Sequence, residues 1–194
     1  MTVCRVLGAD LDIRVRWHGE GLDRLLDAEH AELVNRIVKL LRGEGWQVAV
    51  EVSFNVYGER GSVDVIGWKP EARALLIGEA KSVIPDAQAM ISGHDRKVRL
   101  APGIVEGRGW VPAVVGRLLV VRDSSASRQR VADLGEVFGV AYPDRAVAVR
   151  RWLRQPSGPL SGLVFLRIDR GVSSMQRTVG RQRVRRSRRH DPGA

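Results

Sequence analysis

The segment "GSVDVIGWKPEARALLIGEAKS", residues 61–82, constrains the fold more than any other stretch of the chain. Two apolar runs, residues 62–68 and 74–81, flank the turn sequence Lys-Pro-Glu-Ala, which predicts an antiparallel hairpin. Side chains two apart share a face of a strand, so Leu75, Ile77, Glu79 and Lys81 point one way, while Asp64 shares a face with Ile66 and Trp68. A loop of residues 70–73 pairs Lys69 with Ala74. Stepping back along both strands then sets Trp68 opposite Leu75, Ile66 opposite Ile77 and Asp64 opposite Glu79. A slip of two residues keeps both acids on one face, whereas a slip of one turns the apolar set into water.

Two carboxylates at about 5 Å cross-strand spacing repel each other unless a positive group lies between them. Oxygen ligands of this kind suit Mg²⁺ or Mn²⁺, with the carbonyl of Ala80 completing one edge. Lys81, extending from the same face, is placed to orient or deprotonate a water, or to steady a phosphate oxygen. These are the parts of phosphodiester hydrolysis. The structural alternative is a salt-bridged cluster at a strand end, but charges embedded in apolar strands need partners or a function.

Around this hairpin the pattern is strand, helix, three strands, helix, strand, helix, two strands. A period-two strand is predicted at residues 11–17. A helix over residues 22–42 carries Leu26, Leu33, Ile37, Leu40 and Leu41 at helical spacing, and "GEGW" ends it. The strand "QVAVEVSFNVYG" precedes the hairpin, with "GER" at residues 58–60 as the turn between them. Pro85 and Asp86 open a helix towards Leu100, where Pro102 and Gly103 break the pattern. A strand at residues 114–121, a helix near 127–138 and strands near 146–152 and 163–168 complete the reading. Helices alternating with a meander predict an α/β fold, a mixed central sheet flanked by helices. The expected division is an N-terminal strand segment (1–20), one domain (21–170) and a tail (171–194).

The 194 residues carry 32 Lys and Arg against 22 Asp and Glu, a formal charge of +10, and only four of the basic residues are lysines. Much of the surplus lies in "RTVGRQRVRRSRRH", where Arg181, Arg183, Arg185 and Arg186 stand among further arginines without an acid. Such a tail buries too little apolar surface to offset its ordering entropy, so disorder is expected, and its arginines suit salt-sensitive, sequence-blind contact with nucleic acid. A solvated tail that aids solubility is the alternative. The longest apolar runs, such as residues 111–121, fall short of the roughly 20 residues that span a bilayer, and no signal-like stretch follows Met1. A cytoplasmic protein without membrane association is expected. Cys4 is the single cysteine and predicts neither a disulfide nor a cysteine zinc site.

The acid in "SVDV" and the acid-x-lysine in "GEAK", fifteen positions apart, resemble the PD-(D/E)XK, or restriction-endonuclease-like, nuclease superfamily. The resemblance covers roughly residues 22–121. It implies a core of helix, three-strand meander, helix and strand, with Asp64, Glu79 and Lys81 catalytic and Asp64, Glu79 and the Ala80 carbonyl on the metal. "GERGSVDVIGW...LLIGEAKS" is similar to the module that follows a helix-turn-helix domain in certain bacterial regulator-like proteins; no such domain is expected upstream of Asp12. Relatives with "GEIDL" carry a second carboxylate where this chain has Ser62.

Many members of that family also place an acid from the first helix near the metal. Glu32 points away from the predicted apolar face, Glu29 lies at its edge and His30 falls on the core side, so Glu29 or His30 is the accessory candidate; a hydrogen-bonded core histidine is the alternative for His30. The resemblance also implies a bracing role for Gln88. Glu59, in the predicted turn, is a further candidate for the metal. Arg96 and Lys97, in the polar run His94 to Lys97, are candidates for phosphate contact, with a solvated helix face as the alternative. The leading expectation is a metal-dependent nuclease acting on nucleic acid, DNA before RNA. A homodimer is expected if both strands of a duplex are cut. The alternative is an inactive module of the same fold in DNA binding or transcriptional regulation. A third expectation is an interaction domain whose arginine tail meets an acidic partner.

Overall fold

The expected hairpin forms with its predicted pairing: Lys69↔Ala74, Trp68↔Leu75 and Ile66↔Ile77. A computed structural model describes residues 20–168; the predicted strand at 11–17 and the tail from 171, with Arg181, Arg183, Arg185 and Arg186, lie outside them. The elements are α1 (Glu20–Gly43), β1 (Gln47–Val56), β2 (Glu59–Lys69), β3 (Ala74–Lys81), α2 (Ala87–Val105), β4 (Val114–Arg122), α3 (Ser125–Asp133), α4 (Gly135–Ala141), α5 (Ala146–Arg154) and β5 (Leu160–Leu166). Five strands make one mixed sheet in the order β1-β2-β3-β4-β5. The meander β1-β2-β3 is antiparallel, and β4 and β5 join in parallel. Parallel neighbours need crossovers, which α2 supplies before β4, and α3 to α5 supply before β5.

The helices cover both faces. Leu33, Val34, Ile37 and Leu41 of α1, with Val149, Trp152 and Leu153 of α5, pack on Val65, Leu76, Ala80, Leu118 and Val120. On the opposite face Leu100, Ala101 and Val105 of α2 meet Ile66, Trp68, Leu75 and Ile77. Beside them Val131, Phe138 and Tyr142 close over Leu119, Val121 and Leu163. β3 is therefore buried on both sides, as its nearly continuous apolar sequence requires. At the far end of the sheet, Lys69 Nζ donates to the carbonyls of Glu44, Leu153 and Arg154 at 2.9, 3.1 and 2.8 Å, tying the exits of α1 and α5 together.

Several expectations are corrected. Residues 146–152 form helix α5, not a strand: "AVAV" alternates like a strand, but the buried set is Val149, Trp152 and Leu153, a helical spacing, with Arg150, Arg151 and Arg154 left exposed. The helix near 127–138 is two helices, α3 and α4, divided at Leu134 with φ −109° and ψ 33°. Helix α2 does not stop before Pro102 but continues to Val105, because Leu100, Ala101 and Val105 still face the sheet. The last strand begins earlier than residue 163, at Leu160. The turn between β1 and β2 is Tyr57-Gly58, at φ 52° and 82°, so Glu59 and Arg60 already belong to β2.

Close approach of α5 to β5 requires Gly162. An added Cβ would lie 2.6 Å from Val149 Cγ2 and 3.1 Å from Leu118 Cδ1. Gly162→Ala is expected to cost about 1–3 kcal/mol through overpacking. A lowered urea midpoint with unchanged slope is the measurement; an unshifted midpoint contradicts the packing argument.

Candidate functional site

The β2-β3 ladder ends at Val65↔Gly78, one pair before the predicted Asp64↔Glu79. In place of the next ladder bond, Asp64 Oδ2 accepts from the Ala80 N–H at 2.8 Å. The neighbouring strand shows why the alternation fails here. Glu51 sits in the left-handed region at φ 48°, and the β1-β2 pairing passes from Val50↔Val65 to Val52↔Val63 without Glu51 and Asp64. On one side of this point Val48 and Val65 pack with α1; beyond it Val52, Phe54, Val56 and Val63 pack with α2. The hairpin turns over at Glu51 and Asp64, and β2 parts from β3 with the Asp64 carboxylate in the gap. In an extended strand the N–H and C=O of one residue point to the same side, so the Ala80 carbonyl faces this gap too.

Glu79 lies beside it, on the α2 face of β3. Its side chain is 8% exposed, and both oxygens are taken: Oε1 accepts from Lys81 Nζ at 2.7 Å and Oε2 from Lys97 Nζ at 2.6 Å. Burial opposes ionisation of Glu79, but the two ammonium groups outweigh it and hold the carboxyl below its usual range. Asp64 is shifted the other way. Burial raises its pKa first and the charge of Glu79 second, and the Ala80 N–H and the two lysines only partly offset them. His30 Nε2 stands 4.0 Å from Asp64 Oδ2.

The donor set fits an oxygen-seeking divalent cation. The Asp64 carboxylate and the Ala80 carbonyl face the gap with Glu79 beside it; burial first and the charge of Glu79 second raise the Asp64 pKa, and added positive charge would offset both. Among the described residues no three His, Cys, Asp or Glu side chains group to hold a metal ion. Mg²⁺ commonly takes one or two carboxylates and keeps several waters, so a two-carboxylate set suffices. Lys81 or Lys97 would have to release a Glu79 oxygen.

The other predicted residues divide clearly. Of the two α1 candidates, His30 approaches Asp64, whereas Glu29 is bonded to Arg122 Nη1 at 2.6 Å and buried. Glu59 pairs with Arg99 at 2.9 Å, far along the hairpin. Gln88 is exposed on the first turn of α2 and Arg96 is exposed further along it. Lys97, expected to meet phosphate, turns inward to Glu79.

His94 departs furthest from expectation. Read as part of a polar run, it is 1% exposed, and its ring bridges Tyr142 Oη at 2.9 Å and the Ile77 carbonyl at 3.1 Å. A carbonyl only accepts, so Nε2 carries the proton and Nδ1 accepts from the Tyr142 hydroxyl. The 3,4 spacing of Ala87, Ile91, His94, Ala101 and Val105 was the available signal that this histidine belongs to the core face. Arg117 lies over the Tyr142 ring, 4.9 Å from its centre, and pairs with Asp95. The segment carrying Glu79 is thus braced from behind by a polar network.

Beside the gap an open groove of about 370 Å³ runs between α1 and the start of α2, reached by Lys81 and His30. The chain matches no protein-family model and no curated protein.

Proposed function

We propose that this chain is a metal-dependent nuclease with a restriction-endonuclease-like core, hydrolysing phosphodiester bonds of nucleic acid, DNA before RNA. The observation that carries the reading is that Asp64, bonded to the Ala80 N–H, feels the charges of the bonded Glu79–Lys81 pair where β2 parts from β3. Asp64, Glu79 and the Ala80 carbonyl would hold Mg²⁺ or Mn²⁺. When bound, such a cation polarises the scissile phosphate and eases ionisation of the attacking water. Lys81, partly exposed at the mouth of the gap, orients that water or steadies the phosphate once it leaves Glu79. Lys97 keeps Glu79 ionised and fixed. Arg96 and the arginines of the tail supply sequence-blind backbone contact. A homodimer would serve cleavage of both duplex strands.

A second reading has its own support. Both Glu79 oxygens are already neutralised by lysines, an arrangement equally suited to an inactive module that binds DNA or acts in regulation.

The full chain is assayed with Mg²⁺ and Mn²⁺ against single- and double-stranded DNA and RNA. Cleavage lost in Asp64→Ala is expected. With metal at about a hundredfold above its Kd, the wild type should gain ~2.7 kcal/mol of stability that Asp64→Ala lacks. Absence of cleavage with either metal, together with stability indifferent to both, rejects the nuclease reading and leaves the second one.

A further inference from the structure

The groove beside the gap has a composition that a phosphate site alone does not require. Lys81 and His30 stand at its polar end; Leu26, Val83, Pro85 and Met90 give it an apolar wall, with Asp86 the acid in the lining. Val83 is 50% exposed, so this lining is open to solvent. Ser82, which immediately follows the acid-x-lysine strand, also lines the groove. It is 8% exposed, yet its Oγ has no hydrogen-bond partner among the described residues. Buried hydroxyls are nearly always paired, and an orphan closed off just beneath a groove wall is free to turn towards a ligand that supplies the partner. The volume of about 370 Å³ lies within the range of small-ligand sites.

From these observations we infer that the groove receives the base and sugar of an unpaired nucleotide adjoining the scissile phosphate, so that the preferred substrate is single-stranded or frayed nucleic acid. This rests on the nuclease reading for its chemistry, and on the groove for its selectivity. A duplex offers the groove only phosphates and sugars, because its bases remain stacked and paired. A single strand can turn one base onto the apolar wall while its phosphate stays between Lys81 and His30. Ser82 Oγ, itself closed to solvent, then rotates out to bond an acceptor or donor on the base or sugar. Polar and apolar lining are separated in the same sense: Lys81 lies at the gap, where the backbone must pass, and Leu26, Val83 and Met90 lie away from it.

Two variants test this with the full chain. Ser82→Ala removes a hydroxyl that nothing in the described fold uses, so stability should be unchanged. Ala89→Phe places bulk on an exposed helix position at the groove wall, away from the core. Binding of a labelled oligothymidylate and of a blunt duplex is measured at raised salt, which suppresses sequence-blind contacts of the arginines. Where cleavage occurs, kcat/KM is measured on both substrates. The wild type should favour the single strand by about tenfold or more, and Ala89→Phe should abolish that preference. Ser82→Ala should weaken single-strand binding by about fivefold, with duplex binding unaltered. Equal handling of the two substrates by the wild type overturns the inference, as does a preference that survives both variants. Cleavage without the preference would leave the nuclease reading standing and remove only the groove's role. Single-strand preference without cleavage would do the reverse. Absence of any single-strand binding overturns the groove proposal outright.

Discussion

Glu79→Gln is expected to lower metal-dependent cleavage by about 10³-fold or more while leaving the chain folded. The substitution keeps the shape of the side chain but removes the charge that both lysines face at 2.7 and 2.6 Å, and its amide nitrogen, a donor, can no longer accept from one of them. It also removes the second cause of the raised pKa of Asp64, so Asp64 should titrate lower in the variant than in the wild type. Two independent readouts therefore move together: cleavage falls, and the carboxyl resonance of Asp64 shifts at a lower pH. Cleavage within tenfold of the wild type would show that Glu79 is a structural partner of the lysines and nothing more. Lys97→Met separates the roles further. Freed from one ammonium, Glu79 Oε2 becomes open to a cation, and the Mg²⁺ concentration giving half-maximal stabilisation should fall by about tenfold, or ~1.4 kcal/mol. A rise in that concentration would mean that Lys97 is needed to shape the site and does not compete for it.

Acid should destabilise the protein through His94 well before the ordinary carboxylates are protonated. Burial pushes the His94 pKa down to about 4, against 6.5 in the unfolded chain; its bond to the Ile77 carbonyl only partly opposes this. Between these values the unfolded chain binds the extra proton and the folded one does not. The contribution is therefore complete above pH 6.5 and is lost as the pH falls towards 4, for a total of about 3 kcal/mol. Burial also pushes Tyr142 up to about 12, so its hydroxyl keeps the proton that it donates to Nδ1 across this whole range. Urea denaturation at intervals from pH 7 to pH 4 measures the effect, and subtracting the same series for His94→Gln removes the contribution of the carboxylates. A difference curve that is flat over this window would contradict the burial of a neutral His94.

The parts of the fold that could be read from the chain are those whose cause is local or strictly periodic. Leu75 and Ile77 against Trp68 and Ile66, with a turn of known length, admit one register that keeps the apolar set inside, and that register forms. The helix before the meander and the helix after it follow in the same way from their apolar spacing. Periodicity failed where it was short or interrupted. "AVAV" in α5 is too brief to distinguish period two from the 149, 152, 153 stripe that packs on the sheet. His94 was hidden because an imidazole counts as polar, although its position on α2 falls on the buried stripe.

The sequence by itself determined that Asp64 would lie close along the hairpin to Glu79 and Lys81, because a four-residue loop and the register it sets act over neighbouring residues; the predicted pairing of Asp64 with Glu79 does not form. Only the tertiary structure decided how they meet. The left-handed backbone at Glu51 carries no sequence mark such as glycine, yet it turns the hairpin over and sends the Asp64 carboxylate into the gap against the Ala80 N–H. Lys97 reaches Glu79 from 18 residues away because α2 crosses back over β3, and His30 is brought to Asp64 because α1 covers the opposite face. Those contacts depend on the packing of whole helices against the sheet, which depends on long-range burial and leaves no trace at the spacing of two, three or four residues.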